Sequence, residues 1–213
     1  MFVGERMSRP VISVSPDEPI NEVLAMFRTE HIRRAPVMKD GKLLGIVSER
    51  DLLNASPSSV TTLSVWELNY LISKVKIKTV MTKKVITVDK DTPIEEAARI
   101  MADQKIGGLP VMSAGKVVGM ITETDLFKIF LELMGARQKA IRVTATVPER
   151  PGELAKVTQA ISANGGDFIA FGMFSGPDAN SRVITFKVLG MKKEKIREVL
   201  KDVVLKFWDI RQS

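Results

Sequence analysis

"GIVSERDL" at residues 45–52 returns 74 positions later as "GMITETDL" at 119–126. Each phrase runs glycine, two apolar residues, a hydroxyl residue, Glu, a variable residue, Asp and Leu. The flanks repeat as well. "MSRPVISVSPDEPI" (7–20) lies over "MTKKVITVDKDTPI" (81–94), and "RRAPVMKDGKLLGIVSERDL" (33–52) lies over "GGLPVMSAGKVVGMITETDL" (107–126). Aligning 7–52 with 81–126 gives 18 identities in 46 positions without a gap. Self-similarity at a fixed period marks a structural module used twice.

Both copies predict the order β-α-β-β-α. A β-branched run opens each (Val11–Val14; Val85–Val88), and Pro19 or Pro93 suits the first turn of a helix. Ile20, Val23, Leu24 and Phe27 share one face of that helix, as do Ile94, Ala97, Ala98 and Met101 of its counterpart. Two strands then flank the tight turns "KDGK" and "SAGK", and a second helix starts at Ser48 or Thr122. Residues 54–62 ("NASPSSVTT") read as a loop. Residues 63–80 begin as a helix, with capping-box spacing between Ser64 and Glu67 and an apolar face of Leu68, Leu71, Ile72 and Val75. This segment is expected to pack on the second copy, with Trp66 and Tyr70 as packing residues.

After "ELMGARQKA" (132–140) the repeat ends. "IRVTATV" (141–147) predicts a strand, and "PERPGELAKVTQAISANGG" (148–166) a turn and a helix. Pro151 is expected in the helix's first turn, with Gly165–Gly166 as its stop. "DFIAFGMF" and "RVITFKVL" flank the hairpin signal "SGPDANS". A basic amphipathic helix (192–203) and a strand "FWDIRQ" (207–212) complete β-α-β-β-α-β. The fold class is thus α+β, with boundaries placed at 1–62, 63–135 and 138–213.

Bulk properties narrow the function. The 213 residues are 45% apolar and 27% charged, an ordinary globular balance. No apolar run approaches the roughly 18 residues of a membrane span, and the charged N-terminus predicts no secretory signal. With no cysteine, disulfide and thiolate chemistry are excluded, and a cytoplasmic location is expected. A net charge of +7 favours anionic partners, but sparse aromatics and the absence of a dense Lys/Arg block argue against nucleic acid. His31 is the single histidine, and no P-loop, GxGxxG or HExxH occurs, so neither catalysis nor a metal site is expected.

The duplicated unit resembles the cystathionine β-synthase (CBS) domain, the paired module that binds adenine nucleotides in many regulatory proteins. The resemblance implies two clefts between sheet-packed copies. It assigns Asp51 and Asp125 to the ribose hydroxyls, and Ser48 and Thr122 to ribose or phosphate. It places Ser13, Thr87, Ala35, Pro36, Leu109 and Pro110 along the adenine and phosphate pockets. The chemistry is consistent: a carboxylate accepts two hydrogen bonds at once, which suits a vicinal diol, and a helix N-terminus attracts phosphate. Yet Ser/Thr-x-x-Asp is equally a helix-start signature, with the hydroxyl as cap. The copies also differ. Arg33, Arg34 and Arg50 oppose Gly107, Gly108 and Thr124, so the two clefts cannot be equivalent. The arginines would suit phosphates, and the glycines would let a ligand approach the backbone.

The last third, with "ERPGEL" at 149–154 and "GGDFI" at 165–169, resembles the ferredoxin-like ACT domain, which pairs edge to edge and senses amino acids. Arg150, Gly152, Gly166 and Asp167 are its candidate ligand residues, although Asp167 and Phe168 replace the family's Asn and Ile. The whole arrangement resembles the acetoin-utilisation proteins of the AcuB type. It implies a non-catalytic sensor of AMP, ADP, ATP or a relative, with no catalytic cofactor. The ACT unit would serve homodimerisation or a second small metabolite, and the output would go to a protein target. The alternative is a module that assembles without nucleotide.

Overall fold

Positive φ at two successive residues, Asp40 (52°) and Gly41 (74°), reverses the chain after Lys39 so that Lys39 pairs with Lys42. Ala114 (48°) and Gly115 (76°) do the same in the second copy. Two left-handed residues give a turn whose twist matches that of the flanking strands. In this computed structural model, which describes residues 1–55 and 64–213 without the side chains of 65–69, each turn joins an antiparallel hairpin. The first comprises β1 (Arg34–Lys39) and β2 (Lys42–Ser48), preceded by α1 (Val3–Arg6) and α2 (Ile20–Thr29). It leads into α3 (Glu49–Asn54), α4 (Val65–Lys74) and α5 (Ile77–Val80). The second copy runs β3 (Val88–Asp89), α6 (Ile94–Gln104), β4 (Gly108–Ser113), β5 (Lys116–Thr122) and α7 (Glu123–Leu133). The chain divides into two units, Met1–Leu126 and Phe127–Ser213.

Two expectations are corrected. The opening strands shrink to a single bridge from Val14 to Val37 and the two-residue β3, which pairs parallel to β4. Ser15–Pro16 and Lys90 turn the chain away immediately afterwards. The segment before the second copy packs on the first copy instead. Ile77 is fully buried in the core of Val14, Ile20, Phe27, Val37, Val47 and Leu52, with Ile72, Val75 and Val80 against it. Of the loop expected at 54–62, Asn54 instead closes α3 and 56–62 lie outside the described residues, as do the Ser64–Glu67 capping box and the packing of Trp66 and Leu68. Tyr70, expected to pack, is 63% exposed.

Exchange of arms explains this packing, and it is reciprocal. Val3, in the arm before the first copy, is fully buried in the second core with Val88, Leu109, Val111 and Ile121. The backbone bonds match at an offset of 74: Val3 N–H donates to the Thr92 carbonyl (2.9 Å) as Ile77 N–H donates to Glu18 (3.0 Å). Ser8 bridges Met120 as Thr82 bridges Ile46. The glycine of the repeated phrase has its reason in the same exchange. A Cβ on Gly45 would lie 2.7 Å from the Met81 sulfur and 2.9 Å from the Thr82 carbonyl oxygen, and one on Gly119 would collide with Met7. Only glycine lets the other copy's arm lie so close.

The second unit contains β6 (Ile141–Pro148), α8 (Glu153–Ser162), β7 (Asp167–Ser175), β8 (Ser181–Leu189), α9 (Lys193–Leu200) and β9 (Lys206–Gln212). They form an antiparallel sheet of order β7-β8-β6-β9, and the β-α-β-β-α-β reading holds. Val143, Val147, Phe186, Ile161 and Leu200 meet in one core, with Phe171 stacked on Phe186 at 5.8 Å. Pro151 falls before α8 rather than in its first turn, because Gly152 takes a left-handed conformation (φ 90°) at the helix entry. Buried Lys187 donates to the carbonyls of Gly135 (2.9 Å) and Gln138 (3.0 Å), so its charge sits among the dipoles of the turn after α7. Among the described residues no helix is long and apolar enough to cross a membrane.

Candidate functional site: the Asp51 cleft

Strand register assembles this site. Arg34 pairs with Ser48 across the β1–β2 hairpin, and Glu49 N–H donates to the Arg33 carbonyl (2.8 Å). The arginines therefore lie beside the start of α3. There the cap expected from Ser-x-x-Asp is complete. Asp51 N–H donates to Ser48 Oγ (3.3 Å), while Asp51 Oδ2 accepts from Ser48 N–H (2.8 Å) and Ser48 Oγ–H (2.6 Å). Thr122 and Asp125 repeat it, with Asp125 Oδ2 accepting from Thr122 N–H (3.0 Å) and Oγ1–H (2.7 Å). At Asp51 both accepted bonds fall on Oδ2, so the cap leaves Oδ1 with its acceptor capacity.

Asp51 opens onto a cavity of about 470 Å³. From the first copy come Arg33, Arg34, Ile46 and Ser48–Asp51; from the second come Thr82, Lys84–Ile86 and Lys105–Gly108. The exchanged arm thus supplies one wall. Five cations face two carboxylates, Glu49 and Asp51, and the apolar residues Ile46, Val85, Ile86 and Ile106 offer a surface for a flat ring. Half-buried Arg34 extends over Gly107 and Gly108: a Cβ on Gly108 would stand 2.9 Å from Arg34 Cδ, and one on Gly107 would stand 2.7 Å from Glu123 Oε2. Burial draws the Arg34 pKa below its usual value, Glu123 opposes that, and Arg33 adds to it.

A family model described as "CBS domain" matches residues 3–58 and 77–132, more than half of the chain. The chain belongs to the CBS-domain family. A CBS domain-containing protein of Dictyostelium discoideum is 28% identical over 136 residues, covering 63% of this chain and 94% of its own. The CBS pair of protein MJ0100, solved with 5'-methylthioadenosine and S-adenosyl-L-methionine, is 27% identical with a TM-score of 0.52, covering 65% of this chain and 98% of its own. A putative acetoin utilization protein (AcuB) from Vibrio cholerae is 30% identical with a TM-score of 0.54, covering 64% and 95% respectively.

Within this CBS pair the structure gathers seven expected residues at one cavity: Arg33, Arg34, Ser48, Arg50, Asp51, Gly107 and Gly108. Others lie elsewhere. Ala35 and Leu109 are fully buried in the two apolar cores, where their side chains pack rather than face a ligand. Pro36 and Pro110 are buried with them, Ser13 is exposed, and Thr87 is half-buried; none lines this cavity. Thr122, Thr124 and Asp125 belong to the pseudo-symmetric position, where Asp125 is only 7% exposed. The glycines expected to admit a ligand carry Arg34 instead. Sequence reasoning missed Lys84 and Lys105, which reach the cavity only because the copies exchange arms and meet across their pseudo-twofold axis. The 74-residue offset, applied to the arms as well as the phrases, was the available signal.

The second unit does not unite its four candidates. Arg150 and Gly152 line a cavity of about 370 Å³ with Glu149, Met173, Arg182 and Ile184. Gly166, packed on Ile161 and Met191, and Asp167, the first residue of β7, lie beyond the opposite end of α8. A residue not anticipated is Glu153, only 4% exposed, whose Oε1 accepts from Arg150 Nε (2.5 Å) and Lys156 Nζ (2.8 Å). Those bonds, Lys156 first, hold its carboxyl below the usual range. A lowered folded pKa stabilises the fold above the unfolded value of about 4.3, and the benefit is lost as pH falls below it. Glu153→Gln should therefore narrow the difference between the melting temperatures at pH 7 and pH 3. An unchanged difference would show that Glu153 does not contribute to the acid limb.

Proposed function

We propose that this protein is a cytoplasmic, non-catalytic regulator whose CBS pair binds an adenine nucleotide, AMP, ADP, ATP or a relative, at Asp51. The observation that carries this reading is the joint placement of a carboxylate with a spare oxygen, an apolar wall and a set of cations around one cavity. A ribose diol suits the carboxylate, an adenine ring the isoleucines and valine, and phosphate the arginines. The adenosine compounds held by MJ0100 support the adenosine part. The β-α-β-β-α-β order and "ERPGEL" support an ACT-like second unit, for which we propose edge-to-edge homodimerisation or a second metabolite site. Signalling then requires the nucleotide to prefer one of two arrangements and a protein target to read the difference.

A second reading has its own support, because the completed cap at Ser48 and the matching Thr122–Asp125 bonds explain the repeated phrase without any ligand. Titration calorimetry of nucleotide-stripped protein with AMP, ADP and ATP separates the two. Saturable heat from at least one nucleotide is expected. Silence from folded protein with all three would leave a module that only assembles.

A further inference from the structure

The repeat makes it possible to compare the two clefts residue by residue. Arg33, Arg34, Gly107 and Gly108 are equivalent to one another across the pseudo-twofold, so they belong to both clefts. Outside that quartet the Asp51 cleft carries three cations: Arg50, Lys84 and Lys105. At the offset of 74 they become Thr124, Pro10 and His31. The acids survive the same operation, Glu49 and Asp51 becoming Glu123 and Asp125. Duplication has therefore kept both carboxylates at the equivalent positions and left three of the five cations on the Asp51 side alone.

Pairing widens the contrast. Among the described residues none of Arg33, Arg50, Lys84 and Lys105 forms an ion pair, and with Arg34 they outnumber the two carboxylates of the cavity. At the other cleft the Arg34 guanidinium already faces Glu123. Even exposed and partly screened by solvent, like charges around one cavity repel, and a multiply charged anion relieves that repulsion. A neutral or cationic adenosine compound relieves none of it.

We propose that only the Asp51 cleft accepts the phosphate chain of an adenosine ligand, so that each polypeptide takes one nucleoside polyphosphate and discriminates by charge against uncharged adenosine compounds. Arg50, Lys84 and Lys105 are the specificity-determining residues. This rests on the adenosine-binding reading of the cleft. The positions equivalent to these three around Asp125 hold Thr124, Pro10 and His31, so a phosphate there gains none of their attraction.

The test is calorimetric titration of the full chain with ATP and, separately, with 5'-methylthioadenosine as the uncharged probe. The comparison variant is Arg50→Thr/Lys105→His, which installs residues the first and second copies already exchange at these positions. One ATP per chain is expected. The ratio of ATP to methylthioadenosine affinity should fall at least about tenfold in the variant, since each lost charged bond is worth about that much. Two ATP per chain, or an unchanged ratio, overturns the proposal. Methylthioadenosine binding without ATP binding also overturns it while leaving the adenosine-binding reading intact, and silence from both ligands removes both.

Discussion

Asp51→Ala is expected to weaken nucleotide binding at least about a hundredfold in calorimetry while costing the fold only about 1 kcal/mol. The two effects have separate origins on one side chain. Oδ2 is committed to Ser48, through its N–H and Oγ–H, and losing a helix cap of this kind costs roughly 0.5–2 kcal/mol. Ribose hydroxyls would use the acceptor capacity that remains, and hydrogen bonds to a charged group contribute about 1.5–3 kcal/mol each. Two such bonds account for a hundredfold or more at about 1.4 kcal/mol per factor of ten. Ser48→Ala is the control that divides the roles. It removes the hydroxyl from the same cap, so its melting temperature should fall about as far, but it leaves the carboxylate in place and should retain much more of the affinity. Equal losses of binding in the two variants would mean that α3 geometry, rather than the Asp51 carboxylate, holds the nucleotide.

The elements read correctly from sequence are those fixed by local chemistry. Asp40–Gly41 and Gly115 demand a tight turn, the short apolar runs beside them form strands, Ser48 caps the helix that starts there, and Thr122 bonds to the Asp125 carboxylate at the start of its own. The β-α-β-β-α-β order of the second unit was legible for the same reason, because "SGPDANS" and Gly165 punctuate it. The features that escaped are non-local. Apolar spacing marks Leu71, Ile72 and Val75 as one face, of which Ile72 and Val75 pack partly buried and Leu71 is 47% exposed, but periodicity carries no information about which core receives them. Two cores of nearly identical sequence make that choice invisible locally, and Val3 poses the same problem in reverse. The cleft inherited the error. Arg50 and Asp51 were legible because they lie in the repeated phrase and Arg33 because it lies in its repeated flank, whereas Lys84 and Lys105 enter through arm exchange and pseudo-symmetry. Arg34 and the two glycines were read as contrasting surfaces, but they are packing partners, since equivalent positions meet across the axis and two bulky residues cannot both fit there.

Gly45→Val should be the most damaging single change in the first unit, although it touches no proposed ligand group. Its Cβ would stand 2.9 Å from the Thr82 carbonyl oxygen and 2.7 Å from the Met81 sulfur. The carbonyl cannot retreat cheaply, because Thr82 and Ile46 exchange both backbone bonds at 2.9 Å. Overpacking against a fixed backbone costs about 1–3 kcal/mol, and loosening the arm also lifts Ile77 and Val80 from the first core, so about 3 kcal/mol or more is expected. In a chain of this length that corresponds to a fall in melting temperature of roughly 6–12 °C. Nucleotide affinity should fall with it, since Thr82 and Lys84–Ile86 form one wall of the cavity. Two comparisons isolate the cause. At Gly119→Val the three nearest atoms are all of the Met7 side chain and none is backbone; its flexible Sδ and Cγ can move aside, so the cost should be smaller. Met81→Ala added to Gly45→Val removes the sulfur contact but leaves the carbonyl, and should restore only part of the loss. Full restoration would place the constraint in the methionine alone, whereas wild-type melting of Gly45→Val would mean that the arm is not docked on β2 in solution.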